Sequence, residues 1–80
     1  MGKRLIRVRA TEILNDRLAE RVTKLVNAEV DVVFIDGRTL HGRLLGIQGV
    51  ELSVRDNRGH GHTVPIATVD EVILDEKALF

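Results

Sequence analysis

The sequence predicts a mainly β fold, in which one N-terminal α-helix precedes a five-stranded, strongly bent antiparallel sheet that forms a small barrel. Apolar residues recur at helical spacing over residues 12–26, whereas from Glu29 onward the apolar period changes to two. Glycine-containing turns separate five short apolar runs, as in small barrels. The 80 residues have room for one domain. We divide it into a basic arm (1–10), a helix (11–27), a barrel (29–75) and a tail (76–80).

The basic arm and the helix come first along the chain. Ile6 and Val8 alternate with Arg7 and Arg9, which predicts an extended backbone with one basic edge. The helix that follows is amphipathic, and Thr11 is its expected N-cap. Its apolar face is predicted to consist of Ile13, Leu14, Leu18, Val22, Leu25 and Val26.

Five strands are predicted, over residues 30–36, 39–46, 50–55, 60–64 and 69–74. Asp36-Gly37 predicts a two-residue hairpin turn, because both residue types adopt positive φ. Gly42 and Gly46 lie inside the second strand, where glycine permits a bulge or a sharp bend. Pro65 cannot donate to a sheet, so strand four is expected to be an edge that docks against another copy of the chain. Edge pairing of this kind gives a ring when it closes.

The composition excludes several classes of protein. The chain has no cysteine, which excludes a disulfide framework, a thiolate zinc site and a cysteine nucleophile. No apolar run is long enough to span a bilayer, and the basic N-terminus lacks the apolar segment of a secretory signal. We therefore expect a cytoplasmic protein with no membrane partner. Because 12 Lys and Arg balance 12 Asp and Glu, the chain is not a polycation.

The charges are unevenly distributed along the chain. Residues 1–29 hold seven basic and four acidic side chains, a net charge of +3. Residues 30–80 hold five basic and eight acidic side chains, a net charge of −3. Such asymmetry is typical of a segment that faces nucleic acid, and it also arises by chance in a short chain.

Two stretches of the chain resemble the two signatures of the Sm/LSm superfamily. Residues 30–46 read VDVVFIDGRTLHGRLLG and resemble the first signature, in which alternating apolar residues lead to Asp-Gly-Arg and two spaced glycines. Residues 64–74 read VPIATVDEVIL and are similar to the shorter second signature. A helix before the first strand is also the family's order, so the resemblance covers roughly residues 11–75. It implies a five-stranded bent sheet, a ring of six or seven subunits joined through strands four and five, and RNA binding.

The sequence departs from the family at the positions that would bind a base. Gln48 stands where Sm proteins have the Asp of a base pocket, and Pro65-Ile66 replace the Arg-Gly of the second signature. In the Hfq-like bacterial branch, the uridine-binding Lys-His pair would fall on Thr63-Val64. The uridine pocket of that branch therefore does not transfer to this chain.

The resemblance and the charge pattern together predict which residues contact RNA. Single-stranded RNA is usually held by stacking on aromatic rings and by cationic contacts to phosphate. This chain has two Phe and no Tyr or Trp, and Phe34 is expected in the core. Arginine planes also stack on bases, which makes candidates of Arg38, Arg43, Arg55 and Arg58. The predicted site consists of Arg7 and Arg9 for phosphate, Gly37 and His41 for base contact by resemblance to adenine-binding positions of the Hfq-like branch, and Gln48, His60 and His62 as further candidates.

Metal binding and catalysis are not expected. His60 and His62 place two imidazoles on one face of a strand, but the spacing supplies no third ligand for zinc. The adjacent carboxylates Asp70 and Glu71 point to opposite faces of a strand and cannot converge on one bond. The sequence has no Gly-rich phosphate loop and no nucleophile elbow. We therefore expect no enzyme activity, no metal and no cofactor.

The sequence thus predicts an Sm-like, Hfq-like homo-oligomeric ring, a hexamer or heptamer, that binds single-stranded RNA without catalysis as a chaperone or scaffold. The alternative is an Sm-fold protein-interaction or structural module that does not bind RNA. The C-terminal barrel of the ribosome-maturation factor family is comparable to such a module. The missing pocket residues and the scarcity of aromatic side chains are the observations that favour the alternative.

Overall fold

Six strands and two short helices make up the chain in a computed structural model, which describes residues 3–77 and the side chains of residues 6–74. The strands are β1 (Lys3–Arg9), β2 (Glu29–Phe34), β3 (Thr39–Gln48), β4 (Glu51–Asp56), β5 (Gly61–Pro65) and β6 (Val69–Lys77). The helices are α1 (Ala10–Asn15) and α2 (Glu20–Thr23), and a 3-10 turn spans Ile66–Thr68. All strands form one antiparallel sheet in the order β1-β6-β2-β3-β4-β5.

The mainly β fold and its antiparallel sheet are confirmed, but the sheet has six strands rather than five. Strands β2 to β6 overlap the five predicted runs. The sheet is open, with β1 and β5 as its outer strands, so the expected closed barrel is not confirmed. Strand β5, which ends at Pro65, is an edge strand as the proline predicts.

The additional strand is the segment predicted as a basic arm. All seven residues of β1 pair with β6, and Val8 is fully buried. Opposite charges support the pairing, because Nη1 of Arg7 lies 3.7 Å from Oε2 of Glu71 and Nη1 of Arg9 lies 3.5 Å from Oδ1 of Asp70. Part of the positive charge near the start of the chain is therefore neutralised by carboxylates of β6. Residues 1–2 of the predicted arm and 78–80 of the predicted tail lie outside the described residues.

The single helix predicted over residues 11–27 is two short helices joined by a turn. The break is at Asp16, whose backbone is extended (φ −154°, ψ 97°) and whose Oδ1 accepts the N–H of Leu18 at 3.0 Å. An Asp side chain that bonds the backbone two residues on competes with the helix. Ile13 is buried as predicted, whereas Leu14 is 47% and Leu18 86% exposed. Helix α1 begins before Thr11, which is therefore not its N-cap. Neither of these described helices is long and apolar enough to cross a membrane.

The two glycines of the second predicted strand have different roles in β3. A Cβ atom on Gly42 would lie 2.4 Å from the carbonyl oxygen of Arg55 on the neighbouring strand, so only glycine fits there. The register between β3 and β4 then shifts between Leu44 and Gly46. A bulge of this kind twists the strand more strongly. The predicted irregularity is therefore found beside Gly46, whereas Gly42 is required by the close approach of β4.

The hydrophobic core lies on one face of the sheet, which we call the inner face, and includes apolar residues of both helices. The alternation predicted for the strands is visible in β4, where Leu52 and Val54 are fully buried and Arg55 is exposed. Helix α1 contacts β1, β6 and the 3-10 turn, so it covers the side of the sheet where β1 pairs with β6. The core residues are Val8, Ala10, Ile13, Val22, Leu25, Val30, Val32, Leu44, Leu52, Val54, Val64, Ile66, Val69, Val72 and Leu74.

Candidate nucleic-acid interface

A groove of about 680 Å³ opens between β5 and the hairpin formed by β2 and β3. A volume of this size is typical of pockets that bind small molecules. The hairpin contributes the end of β2 and the beginning of β3, and β5 contributes all of its residues. The lining residues are Phe34, Arg38, Thr39, Leu40, Gly61, His62, Thr63, Val64, Pro65 and Thr68.

The hairpin turn places an arginine over an aromatic ring. The N–H of Phe34 donates to the carbonyl oxygen of Arg38 at 2.8 Å, and the N–H of Gly37 donates to that of Phe34 at 2.9 Å. The loop therefore has three residues instead of the predicted two, and Gly37 alone among them has a positive φ, 95°. The turn sets the guanidinium carbon of Arg38 5.4 Å from the ring centroid of Phe34, within the range of a cation–π contact.

Asp36 holds this arginine in place without lining the groove. Its Oδ2 accepts a hydrogen bond from Nε of Arg38 at 2.8 Å, and its Oδ1 accepts the backbone N–H of Arg38 at 3.0 Å. These bonds, the backbone one first, lower the pKa of Asp36 below its ordinary value. Because the carboxylate uses Nε, the terminal nitrogens of the guanidinium are left for a ligand.

On β5, His62 lines the groove and is held by another aspartate. Its Nε2 lies 2.8 Å from Oδ2 of Asp56. An ionised carboxylate only accepts, so His62 donates from Nε2 and its Nδ1 is left for other partners. Oδ1 of Asp56 also accepts the backbone N–H groups of Arg58 and His60, each at 2.9 Å. The bond from His62 and these two N–H groups lower the pKa of Asp56 to about 2.

The remaining lining is apolar or carries hydroxyl groups. Leu40 and Val64 supply apolar surface, and three threonines supply hydroxyls, of which that of Thr68 donates to the carbonyl oxygen of Pro65 at 2.7 Å. Among the described residues that line the groove there is no carboxylate. The groove is therefore suited to a flat ligand with hydrogen-bonding edges and a negative charge, which are the properties of a nucleotide.

Three of the seven residues predicted to contact RNA lie at or beside this groove. His62 lines it, and His60 lies in the loop that leads into β5. Gly37 is in the turn that positions Arg38. Both imidazoles of the predicted histidine pair lie beside Oδ2 of Asp56, His60 at 3.9 Å and His62 at 2.8 Å, but only that of His62 lines the groove.

His41 lies on the other face of the sheet, which we call the outer face. Its Nδ1 lies 2.6 Å from Oδ1 of Asp31, and its Nε2 lies 3.5 Å from Oε1 of Glu29. These carboxylates raise the pKa of His41 above its ordinary value, and the hydrogen bond to Asp31 is the main cause. Alternation along β3 separates His41 from Leu40, which faces the groove.

The last three predicted residues do not line the groove either. Arg7 and Arg9 are in β1, where they form the ion pairs with β6 described above. Gln48 ends β3 and is paired with Glu51 across the β3–β4 turn. The structure therefore does not bring the seven predicted residues into one site.

Local sequence patterns reveal only part of the groove. The apolar alternation predicts Phe34 in the core. In the structure it packs against the core but is only half-buried, and it also lines the groove. The signal for its contact with Arg38 is the Asp-Gly turn between them, which brings the two residues together across the hairpin. The approach of β5 joins residues that are more than twenty positions apart in the sequence, and no local pattern predicts it.

Metal binding has no support in the part of the chain whose side chains are described. No group of three or more His, Asp or Glu in that part is arranged to hold a metal ion. No protein-family model, no curated protein and no solved structure matches this chain.

Proposed function

We propose that this chain is a non-catalytic protein that binds single-stranded RNA in the groove between β5 and the β2–β3 hairpin, as a chaperone or scaffold. The observation that carries the proposal is the groove lining, which combines the Arg38–Phe34 stack with an imidazole and hydroxyl groups and contains no carboxylate. Single-stranded RNA is held by stacking of its bases on aromatic or guanidinium planes and by cationic contacts to phosphate.

Each part of the lining has a role in this proposal. Asp36 fixes the guanidinium of Arg38 through Nε, so the plane stacks on a base and the terminal nitrogens bind phosphate. Asp56 orients His62, whose Nδ1 is left to hydrogen-bond the ligand. The apolar surface of Leu40 excludes water below the base. These contacts are shallow, which is typical of proteins that bind single strands with little sequence preference.

The proposed architecture is an Sm-like ring of six or seven copies. The five strands that follow the helical segment, β2 to β6, are neighbours in one antiparallel sheet, in the order β6-β2-β3-β4-β5. This arrangement supports the Sm-like interpretation. A ring joined through strands four and five would pair β5 with the outer edge of β6, which β1 occupies within the chain. We therefore place the contact between the open edges of β5 and β1, which leaves the sheet intact. The absence of cysteine suits the reducing cytoplasm, the location we propose.

Fluorescence anisotropy with labelled oligo-A and oligo-U across a salt series tests RNA binding. The affinity is expected to fall as salt rises, because phosphate contacts release counterions. Arg38→Met weakens binding, whereas Arg17→Met, which changes an exposed arginine of the turn between the helices, does not. Binding that is absent or insensitive to salt at micromolar protein contradicts the proposal. Light scattering gives the number of subunits, and a monomer removes the ring.

One observation favours a protein-interaction module as a second candidate function. Within residues 3–77, the outer edge of β5 has no partner strand, and it lies beside the apolar part of the groove. An extended peptide can add a strand to such an edge and place a side chain in the neighbouring pocket. Hydrogen–deuterium exchange distinguishes the two functions. A peptide strand added to a free β5 edge slows exchange along β5 when the peptide is bound, whereas in the proposed ring this edge is already paired with β1 of a neighbouring copy and RNA bound through side chains leaves its exchange unchanged.

A further inference from the structure

Two arginines face each other on the outer face of the sheet, the face opposite the groove. Arg43 on β3 and Arg55 on β4 are register partners, and Gly61 on β5 is the register partner of Arg55. Their sequence neighbours Leu44 and Val54 are fully buried on the inner face, so both arginines project from the outer face. We call Arg43 and Arg55 the arginine pair.

The chain only partly neutralises the arginine pair. Like charges directly opposite each other on neighbouring strands destabilise a sheet. Nη2 of Arg43 lies 3.9 Å from Oε2 of Glu29, and its Nη1 donates to the carbonyl oxygen of Asn27 at 3.0 Å. None of the carboxylates described in residues 6–74 forms an ion pair with Arg55. A bound anion that contacts both guanidinium groups would remove their repulsion.

Gly61 connects the arginine pair to the groove. It lines the groove and also lies opposite Arg55. A Cβ atom at Gly61 would meet no other atom within 4 Å, so the space beside Arg55 is open. Neighbouring strands are about 5 Å apart, which places Arg43 about 10 Å from Gly61 along the sheet. A polymer that leaves the groove therefore crosses the edge strand at Gly61, where no side chain stands, to reach the outer face with Arg55 and then Arg43.

We propose that the arginine pair is a phosphate-binding site, which holds the backbone of the RNA strand after the strand crosses Gly61. The inference rests on the proposed function of the groove and extends it to strands of several nucleotides. The groove holds a base, and Arg55 and then Arg43 bind the phosphates that follow. Because these contacts are made to the backbone, they add affinity without sequence preference and make it depend on salt.

Two ligands of different length distinguish binding in the groove from binding at the arginine pair. A mononucleotide, titrated by NMR, occupies only the groove, whereas an RNA of about eight nucleotides is long enough to reach the pair. Arg43→Gln and Arg55→Gln are each expected to lower the affinity for the longer RNA by about tenfold at low salt. Each also reduces the slope of log K against log salt by about 0.7, the value for one phosphate contact of a single strand. Lys24→Gln, which removes one exposed charge from the helical segment, is the matched control.

The outcomes distinguish this inference from the proposed function. Unchanged affinity and slope for the longer RNA in both arginine variants overturn the inference, while mononucleotide binding in the groove still stands. Loss of mononucleotide binding in the same variants also overturns it, because the arginines would then act on the groove itself. Failure of the unmodified protein to bind either ligand removes both proposals.

A substitution at Gly61 tests the path between the two sites. Gly61→Val places a branched side chain beside Arg55 where the structure has open space, so folding should not suffer. We expect a lower affinity for the longer RNA and an unchanged melting temperature. Gly46→Val is the matched control, because a Cβ atom there also meets no other atom within 4 Å. Equal affinities of the two variants for the longer RNA contradict a path across Gly61.

Discussion

Nε2 of His62 lies 2.8 Å from Oδ2 of Asp56, across the hairpin of β4 and β5. The other oxygen of the same carboxylate accepts the backbone N–H groups of Arg58 and His60. One aspartate therefore orders the hairpin loop and orients the imidazole that lines the groove. Both effects require the carboxylate to be ionised, because a protonated oxygen loses part of its capacity to accept.

Asp56→Asn is expected to lower the melting temperature and to weaken RNA binding. The pKa of Asp56 falls from 3.8 to about 2 on folding, so its carboxylate contributes stability above its unfolded pKa. That contribution is lost as the pH falls toward about 2, through the folded pKa. The difference in melting temperature between the two proteins should therefore shrink from about pH 5 to about pH 2. A difference that stays constant over this range contradicts the role of the ionised carboxylate.

His41 is expected to make the protein more stable in mild acid. Its pKa is raised above 6.5 by Asp31 and Glu29, the latter of which also lies near Arg43. The protonated form is therefore favoured by folding, and its contribution is complete below the unfolded pKa and lost as the pH rises through the folded pKa. His41→Gln removes this dependence. Urea unfolding of both proteins at about pH 6 and about pH 9 measures it, and equal pH dependence in the two proteins would show that His41 is not responsible.

Arg55→Thr is expected to stabilise the free protein while weakening its binding to RNA. The substitution removes the like charge opposite Arg43, and threonine is well suited to a strand. The gain in unfolding free energy is expected to be a few tenths of a kcal/mol. Chemical denaturation and RNA titration of the same sample measure both quantities. A loss of stability would show that Arg55 serves the fold rather than a ligand.

Gly42→Ala is expected to destabilise the protein by about 1–3 kcal/mol, because the added Cβ meets backbone that cannot move aside. The nearest atom is the carbonyl oxygen of Arg55 at 2.4 Å. Gly46→Ala is the control in the same strand, since its Cβ has open space around it. Thermal unfolding compares the two variants, and similar melting temperatures would contradict the close approach of β3 and β4 at Gly42.

Val8→Ala is expected to destabilise the protein by about 1–3 kcal/mol, because it leaves a cavity in the core. Val8 is fully buried on β1, whereas Val50, in the β3–β4 turn, is 64% exposed. Val50→Ala should therefore change the unfolding free energy by less than about 0.5 kcal/mol. Equal effects of the two substitutions would show that the first strand is not part of the folded core.

Strands β2 and β4 could be predicted because apolar residues alternate along them and the alternating apolar residues are the buried ones. In β4, for example, Leu52 and Val54 are buried as the period of two requires. The first strand was predictable as an extended segment, but its partner was not, because β6 lies more than sixty positions away. The helix break depends on a hydrogen bond that the Asp16 side chain accepts from the backbone of Leu18. The spacing of apolar residues cannot predict this bond. Leu18 is exposed because of this break.

The candidate site was less predictable than the fold. His62 and Arg38 were both candidates by residue type, but the groove that joins them forms only when β5 approaches the β2–β3 hairpin. Conversely, Arg7 and Arg9 have the charge that suits phosphate, yet carboxylates of β6 lie beside them. The sequence shows which charges exist, and tertiary contacts decide which of them are available to a ligand.

The pairing of β1 with β6 has a consequence for how the chain folds. The hairpins that join β2, β3, β4 and β5 close over short loops, whereas β6 pairs with two strands that were synthesised long before it. Contacts over such sequence separations form slowly, because the entropy of loop closure must be overcome first. During translation β1 cannot pair until β6 has been synthesised. Until then Val8, which is fully buried in the folded protein, lacks the strand beside which it is buried. A ribosome-bound nascent chain that stops before residue 69 should therefore leave β1 without its partner strand.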